Sequence, residues 1–258
     1  MNYTLITGAS GILGKCFCKE YARQNNNLIL TGRSLQKLTD LKNELASEFN
    51  NIDIQIYACQ MEQESSREEF FAFLGGFVIE KLILVAGNDN QMAFSNYTQD
   101  KIITQIRANF ESQVCLTNYV INNMVKGGTI LVISSLTAIM PMPYFAIYSS
   151  CKSAQLSFFK AIKKEYKHLK ITIALPSSMP TREDIIQDIK LQGVTGKLAS
   201  QSPQKVARVC VKKASKNKTI VIIGFYNKLV YFFNKITPYS LKSKIIEKKF
   251  KNKTKENF

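Results

Sequence analysis

Short apolar runs alternate with amphipathic segments along most of the chain. Strands are predicted near 3–7, 28–31, 52–58, 81–86, 129–134, 171–175 and 219–223. Helices are predicted near 12–24, 35–49, 65–74, 99–124, 146–168 and 203–215, where apolar residues recur three or four positions apart. Several of the strands are almost wholly apolar, as expected where both faces of a sheet are covered. The alternation predicts an α/β fold with a single doubly wound parallel sheet of about seven strands and helices on both faces.

Three glycines occupy the first predicted strand-to-helix turn. Gly8, Gly11 and Gly14 stand in TGASGILG, inside a predicted β-α-β unit. Glycines at such a turn let the backbone approach a pyrophosphate, and the following helix N-terminus supplies N–H donors. The position of the pattern after a strand and before a helix therefore predicts a dinucleotide site rather than an ordinary glycine-rich turn.

The end of the second predicted strand bears on the choice of dinucleotide. It reads LILTGRS, with Arg33 and Ser34 and no acidic residue before Asp40. A carboxylate here would bind the ribose 2′-hydroxyl of NAD, whereas a guanidinium accommodates the 2′-phosphate of NADP. The sequence therefore favours NADP(H) over NAD(H). The alternative interpretation of Arg33 is a solvated loop residue.

A tyrosine and a lysine that can act together follow the fifth predicted strand. Tyr148 and Lys152 are four residues apart on one face of a predicted helix, and Ser135 precedes the tyrosine by thirteen residues. A nearby ammonium group favours tyrosinate and lowers the phenol pKa from its usual value near ~10. We therefore expect an acid/base group that works near neutral pH, with the Ser135 hydroxyl beside a substrate carbonyl oxygen.

With these motifs together, the chain resembles the short-chain dehydrogenase/reductase family over about residues 3–236. LVAG at 84–87 is similar to the family's central-strand motif, RANF contains its helix asparagine, and LPSSMPT matches the stretch after its sixth strand. The resemblance implies a Rossmann-type fold and four catalytic residues: Ser135, Tyr148, Lys152 and Asn109. The implied cofactor contacts are Gly8, Ser10, Gly11, Ile12, Leu13, Gly14, Arg33, Ser34, Gln60, Met61, Ala86, Gly87, Tyr148, Lys152, Pro176 and Thr181.

The resemblance also implies roles for these residues. Tyr148 would exchange a proton with the substrate oxygen, and Lys152 would hold the nicotinamide ribose and lower the pKa of Tyr148. Asn109 would support a water relay to the lysine. The residues after Thr181 would form the substrate lid.

Three departures from the family pattern are visible. The glycines follow G-x-x-G-x-x-G, a spacing more typical of the longer branch that modifies sugar nucleotides. Gln60 stands where the family often has aspartate near the adenine, although an amide can still donate or accept a hydrogen bond. Pro176 is followed by Ser177 in place of the usual glycine. The three changes affect how the cofactor is held, and they leave every implied catalytic group in place.

The resemblance predicts an NADP(H)-dependent oxidoreductase that transfers a hydride between nicotinamide and a small-molecule carbonyl or alcohol. One alternative is a sugar-nucleotide epimerase or dehydratase of the same superfamily. The other is a non-catalytic NADP-binding sensor or scaffold, against which the complete Ser-Tyr-Lys-Asn set argues. The resemblance also implies a homodimer or homotetramer.

The C-terminal part of the chain is strongly basic. Residues 205–258 hold fifteen Lys and Arg residues against two acidic ones, in a chain of net charge +16. The apolar stretch 219–236 is interrupted by polar residues and is a poor transmembrane span. We expect a dehydrogenase/reductase domain over 1–237 and a basic tail over 238–258. The tail region is either a family-like last helix with a solvated end or a peripheral contact with an anionic membrane; no specific nucleic-acid partner is predicted.

The positions of the cysteines and the single histidine argue against several kinds of site. The six cysteines are scattered through predicted helices and strands, which indicates free thiols in a reducing compartment rather than a disulfide framework. The single histidine, His168, argues against a histidine triad or a histidine-rich metal site, and no metal is predicted. Residues 1–14 already form the first strand and loop, so no signal peptide is expected. The predicted location is cytoplasmic, with membrane association at the periphery as an alternative.

Overall fold

Seven parallel strands form one sheet in the computed structural model, which describes residues 1–250 and the side chains of residues 1–246. The strands are β1 (Asn2–Thr7), β2 (Asn27–Gly32), β3 (Ile54–Ala58), β4 (Val78–Leu84), β5 (Thr129–Ile133), β6 (Lys170–Leu175) and β7 (Ile220–Ile222). Their order is β3-β2-β1-β4-β5-β6-β7, and every neighbouring pair is parallel. The predicted doubly wound Rossmann-type sheet is confirmed.

Helices cover both faces of the sheet. They are α1 (Ile12–Ala22), α2 (Leu35–Glu48), α3 (Glu64–Leu74), α4 (Gln99–Ile106), α5 (Ser112–Ile121), α6 (Ala146–Glu165), α7 (Glu183–Leu191), α8 (Gly193–Ala199), α9 (Pro203–Ser215), α10 (Phe225–Ile236) and α11 (Tyr239–Phe250). The single helix predicted over 99–124 is divided, because residues Arg107–Glu111 wind as a π-helical turn between α4 and α5. None of the helices within residues 1–250 is both long and apolar enough to cross a membrane.

Alternating strand residues feed two hydrophobic cores. Ile130 and Val132 of β5 pack into the core shared with α3, α5 and α6, whereas Leu131 and Ile133 pack into the core shared with α1, α2 and α9. Successive side chains of a strand point to opposite faces, so a strand buried on both faces must be apolar throughout. The near-continuous apolar runs of the sequence have this physical origin.

The strand order reverses beside β1, whose neighbours are β2 and β4. In open α/β sheets the crevice at the carboxyl ends of the strands on either side of such a reversal is the usual ligand site. Here the Thr7 hydroxyl oxygen at the end of β1 accepts hydrogen bonds from the backbone N–H groups of Val85 and Ala86, at 3.0 and 3.1 Å. These bonds hold the ends of β1 and β4 together and define the floor of the crevice.

Candidate active site

The glycine turn lies where α1 meets the end of β1. Gly8 has a positive φ of 63°, a conformation that favours glycine. Gly11 caps α1 without a side-chain hydrogen bond, and the first turn of the helix contains no acidic residue. The first N–H groups of α1 therefore remain oriented toward an anion, with the helix dipole favouring negative charge.

Close backbone packing explains why two of the glycines are needed. A Cβ atom on Gly14 would overlap the Gly8 carbonyl group and lie 2.9 Å from the Cα of Ala9. A Cβ atom on Gly8 would lie 3.0 Å from the backbone of Ala86. A Cβ atom on Gly11 would come within 3.3 Å of the Gly8 oxygen and, among the described residues other than its chain neighbours, meet no other atom within 4 Å. The loop thus forms a cradle open on the Gly11 side, which fits the pyrophosphate of a dinucleotide.

The remaining cradle residues divide between surface and core. Ser10 is partly exposed, and its hydroxyl lies 3.1 Å from the position of a Cβ atom on Gly32. Ile12 is half exposed at the start of α1, whereas the Leu13 side chain packs into the core below. Ser10 therefore lies beside the end of β2.

Arg33 and Ser34 follow directly at the carboxyl end of β2. The Arg33 side chain is exposed and forms no ion pair within the part of the chain that the structure describes. The Ser34 hydroxyl accepts a hydrogen bond from the backbone N–H of Lys37 and caps α2. Arg33 is therefore available to an anion beside the glycine turn.

Gln60 and Met61 follow the end of β3. Gln60 is exposed, and its side-chain oxygen accepts a hydrogen bond from Gln63 at 2.8 Å. The Met61 side chain packs in the core with Cys59 and Phe70, and its carbonyl oxygen accepts a hydrogen bond from Arg67. A cofactor contact by Met61 would thus involve its backbone rather than its side chain.

Asn109 is fully buried in the π-helical turn and fastens the loop after β4. Its amide nitrogen donates to the carbonyl oxygens of Asn88 and Gln105, both at 2.9 Å, and its amide oxygen accepts from the Asn88 N–H at 3.1 Å. The Asn109 carbonyl oxygen accepts from Gln155 at 2.6 Å. A Cβ atom on Gly87 would lie 2.6 Å from the Asn109 amide oxygen and 3.6 Å from Lys152 Nζ, so the loop brings these two predicted residues together.

Ser135, Tyr148 and Lys152 converge at the end of β5. Ser135 is buried, and its hydroxyl oxygen accepts a hydrogen bond from the Thr137 N–H at 3.1 Å. Lys152 is buried as well, and its Nζ donates to the Ile133 carbonyl oxygen at 2.9 Å. The same nitrogen lies 5.5 Å from the centre of the Tyr148 ring. The sequence spacing therefore corresponds to one cluster in space.

Burial shifts the pKa values of both Lys152 and Tyr148 in this cluster. Burial lowers the pKa of Lys152 from 10.5 to about 8. Burial is also the largest cause that raises the pKa of the Tyr148 phenol, followed by the Asp89 carboxylate; a side-chain hydrogen bond with Ser135 and the Arg182 charge oppose the rise. Burial and Asp89 here act against the lowering that the sequence spacing predicts, and the effect of Lys152 on the Tyr148 pKa in the cofactor-bound site stays a prediction. The phenol loses solvation, and the ammonium group is directed at a backbone carbonyl.

The Lys152 pKa predicts a pH-dependent stability difference. Between pH 8 and 10.5 the unfolded chain holds more protons at Lys152 than the folded one, so the Lys152 contribution to stability rises with pH. We expect the Lys152→Met variant to gain stability relative to wild type at pH 7 and to lose that gain as the pH approaches 10.5. Denaturant unfolding at several pH values measures this difference. The exposed Lys160→Met change on the same helix is the control, and a pH-independent difference for Lys152→Met would contradict the assignment.

An ion-pair cluster across the site entrance was not anticipated from the sequence. Arg182, just before α7, donates to both Asp89 carboxylate oxygens at 2.6 and 3.3 Å, and also to Asp184 at 2.9 Å. Asp89 stands two residues after Gly87, and Arg182 directly follows Thr181. Their positions next to these predicted motifs are the feature of the sequence that could have indicated the ion pair. The cluster joins the loop after β4 to the predicted lid, which forms α7 and α8.

Pro176 and Thr181 complete the edge at the end of β6. The buried Pro176 carbonyl oxygen accepts a hydrogen bond from the Leu136 N–H at 2.8 Å. The Thr181 N–H donates to the Met179 carbonyl oxygen at 2.7 Å, and its side chain is partly exposed at the base of the lid. The crevice therefore runs from the glycine turn across the ends of β4 and β5 to the lid after β6.

The arrangement can move a proton to or from a bound oxygen. A phenol, a hydroxyl and a buried amine share the end of β5, next to a cradle suited to a dinucleotide phosphate. The adjoining loop is fixed by a buried asparagine. Such a site suits chemistry in which a cofactor exchanges a hydride and the protein exchanges the accompanying proton.

Solved structures with this architecture include dehydrogenases. A 7beta-hydroxysteroid dehydrogenase matches with a TM-score of 0.85 and 21% identity, covering 95% of this chain and 96% of its own. A short-chain dehydrogenase from Sphingobium yanoikuyae in complex with NADPH matches with a TM-score of 0.76 and 21% identity, covering 86% and 87%. At these identities the likeness supports the fold.

Sequence relatives identify the family. An 11-beta-hydroxysteroid dehydrogenase-like protein 2 from Arabidopsis thaliana is 28% identical over 242 residues, covering 91% of this chain and 77% of the relative. The chain spans only 51–61% of further relatives named 17-beta-hydroxysteroid dehydrogenase type 3 or very-long-chain 3-oxoacyl-CoA reductase. The family model described as short chain dehydrogenase matches residues 2–190. These relatives are named as dehydrogenases and reductases, which are oxidoreductases, and the chain belongs to the short chain dehydrogenase family.

Proposed function

We propose that the chain is an NADP(H)-dependent oxidoreductase that transfers a hydride between nicotinamide and a small-molecule carbonyl or alcohol. The observation that carries the proposal is the convergence of Ser135, Tyr148 and Lys152 at the end of β5, beside the glycine cradle. The relatives named as dehydrogenases and reductases support the same class of reaction.

Each residue has a proposed task. When bound, the nicotinamide supplies or accepts the hydride. The cradle of Gly8, Gly11 and Gly14 holds the pyrophosphate at the start of α1. Tyr148 exchanges the proton with the substrate oxygen, and Ser135 donates a hydrogen bond to the same oxygen.

Two further residues support this chemistry. Lys152 holds the nicotinamide ribose, and Asn109 keeps the loop at Gly87 in place beside it. The raised pKa of Tyr148 keeps its phenol protonated at neutral pH, which suits donation of a proton to a carbonyl oxygen.

The proposed preference for NADP(H) depends on Arg33. Its guanidinium is exposed beside the glycine turn and has no acidic partner among the described residues, so it can bind the 2′-phosphate. The S. yanoikuyae short-chain dehydrogenase was solved with NADPH, which is consistent with this preference. Gln60 lies exposed at the end of β3, where it is proposed to face the adenine.

Replacing Arg33 by Ala tests the preference. Loss of one charge-assisted contact is expected to weaken NADPH binding roughly tenfold and leave NADH binding nearly unchanged. Titration of both nucleotides by fluorescence or calorimetry measures the two dissociation constants. Lys37→Ala, which removes a nearby exposed cation in α2, is the control for general electrostatics. Equal weakening of NADPH and NADH would contradict a 2′-phosphate contact.

The substrate test uses a panel chosen from the names of the relatives and from the alternatives. NADPH oxidation would be followed with steroid ketones, 3-oxoacyl thioesters, simple aldehydes and ketones, and sugar nucleotides. Turnover of a ketone or aldehyde supports the proposed reaction. Conversion confined to sugar nucleotides would favour the epimerase or dehydratase alternative. Tight NADPH binding without turnover of any member would favour the sensor or scaffold.

The fold also suggests a quaternary structure, a domain division and a location, which we propose here. We propose a homodimer or homotetramer through α4, α5 and α6, which sedimentation velocity would measure. The proposed division into a catalytic domain over 1–237 and a basic segment over 238–258 falls between α10 and α11. Residues 251–258 of that segment lie outside the described residues. Four of the six free cysteines are buried, in keeping with the proposed cytoplasmic location.

A further inference from the structure

Helix α10 directs polar side chains into the protein. Asn227 is fully buried and donates to the carbonyl oxygens of Ala199 and Ile223, both at 2.8 Å. Asn234 donates to the Ile139 carbonyl oxygen at 2.8 Å. Residues four and three positions apart share one face of a helix, and Tyr231, between the two asparagines, packs against the hydrophobic core. Hydrogen bonds from the inner face of α10 thus hold this helix against the rest of the protein.

The opposite face of α10 is apolar and exposed. Its five large side chains are between 39% and 77% exposed, and we call them the outer face: Phe225, Leu229, Phe232, Phe233 and Ile236. A surface helix normally turns its apolar stripe toward the core and its polar stripe toward water. Here the arrangement is reversed, with three aromatic rings among the exposed groups. A contiguous exposed apolar face of this kind marks an interaction surface.

The neighbouring helices add further exposed apolar groups. Asn227 ties α10 to α8, which exposes Val194 and Leu198. Beyond Pro238, α11 exposes Tyr239, Leu241 and Ile245. The apolar character is therefore shared by three helices in the C-terminal part of the fold.

The charge of the surrounding residues indicates which partner binds this surface. Residues 189–246 contain twelve Lys and Arg residues and no Asp or Glu. Lys228 and Lys235 are exposed on α10, and Lys244 is exposed on α11. A second copy of the chain docked through the same face would set these cations against one another. An anionic lipid surface would neutralise them while accepting the aromatic rings.

We propose that the outer face of α10 rests in the headgroup region of an anionic lipid bilayer, with the surrounding lysines bound to lipid phosphates and carboxylates. The helix has 12 residues and is about 18 Å long, so it is too short to cross a hydrocarbon core of about 30 Å. The contact is therefore peripheral, in the plane of the interface. This proposal rests on surface geometry and charge and is independent of the proposed reaction.

The absence of tryptophan from the chain gives a direct test. The Phe232→Trp variant carries its single indole on the outer face, and the Phe94→Trp variant carries it at an exposed position elsewhere. Each variant is mixed with vesicles of phosphatidylcholine alone or of phosphatidylcholine and phosphatidylserine in equal parts. We expect the indole emission of Phe232→Trp to shift to the blue with the anionic vesicles only, and the emission of Phe94→Trp to stay unshifted. An unshifted spectrum of Phe232→Trp with both kinds of vesicle would overturn the proposal.

Vesicle sedimentation separates the contributions of the aromatic rings and of the lysine charges to membrane binding. The double variants Phe232→Ser/Phe233→Ser and Lys228→Glu/Lys235→Glu are each expected to bind anionic vesicles at least about tenfold more weakly than wild type. Phe94→Ser and Lys160→Glu are the matched controls and should bind as wild type does. Circular dichroism verifies that each variant is folded. Binding unaffected by either double change would overturn the proposal, and so would a wild-type dimer that Phe232→Ser/Phe233→Ser dissociates, because a second copy would then cover the face.

Discussion

Replacing Tyr148 by Phe is expected to lower kcat/KM for carbonyl reduction by about 10²–10⁴-fold, the usual contribution of a positioned acid or base. The change removes one hydroxyl and leaves the ring, which lies near the Phe145 ring and beside Lys152. The proton for the substrate oxygen then has no donor at this position, whereas the glycine cradle is unchanged. NADPH binding should therefore remain within about twofold of wild type by the same energetic reasoning.

Steady-state kinetics and NADPH titration on the same preparations measure the two effects. Tyr166→Phe is the matched control, because it deletes a hydroxyl from the residue that caps the other end of α6. We expect that variant to retain wild-type activity. Retention of full activity by Tyr148→Phe would refute the assignment of the phenol as the proton donor.

Replacing Gly14 by Ala is expected to lower the free energy of unfolding by about 1–3 kcal/mol, the typical cost of overpacking, and to weaken NADPH binding. The new Cβ atom would overlap the Gly8 carbonyl group and approach the backbone of Ala9, and backbone atoms cannot move aside as a flexible side chain can. Relief of the overlap requires α1 to move away from the glycine turn. The same displacement would open the cradle that is proposed to hold the pyrophosphate.

Two other glycines provide controls for that change. A Cβ atom on Gly11 would meet a single oxygen at 3.3 Å, and one on Gly76 would meet a single oxygen at 3.8 Å. We expect Gly11→Ala to cost less stability than Gly14→Ala, and Gly76→Ala to leave stability close to that of wild type. Thermal and denaturant unfolding measure all three. Equal stability of Gly14→Ala and Gly76→Ala would show that α1 does not pack on the turn as described.

The two ends of the crevice carry different physical constraints. At the glycine turn, backbone atoms are in contact, and glycine is required because even a single methyl group would not fit. At the end of β5, the buried hydrogen bonds of Lys152 and Asn109 position groups that are proposed to face a ligand. The Asp89–Arg182 ion pair then links this half of the site to the lid. Changes at the turn should therefore act on stability and cofactor binding together, whereas changes at Tyr148 should act on turnover.

The sequence was sufficient for the fold and for most positions of the candidate site. Strands buried on both faces must be apolar, and helices packed on one face must repeat every three or four residues, so the pattern alone predicted a doubly wound parallel sheet. The motifs at Gly8–Gly14 and at Tyr148–Lys152 are local in sequence. Helix and turn geometry then determine which of their groups lie together.

Only the tertiary structure decided properties that depend on residues distant in the chain. Loss of solvation and the Asp89 carboxylate, which is distant in the sequence, both raise the pKa of Tyr148, and they oppose the lowering expected from its spacing to Lys152. The contact of Arg182 with Asp89 joins residues 93 positions apart. The outward direction of the apolar face of α10 follows from the hydrogen bonds that Asn227 and Asn234 make with other elements. The solvation of a side chain, the charges near it and the side of a helix that faces the core all depend on the elements that pack against a segment. The sequence of that segment alone does not contain this information.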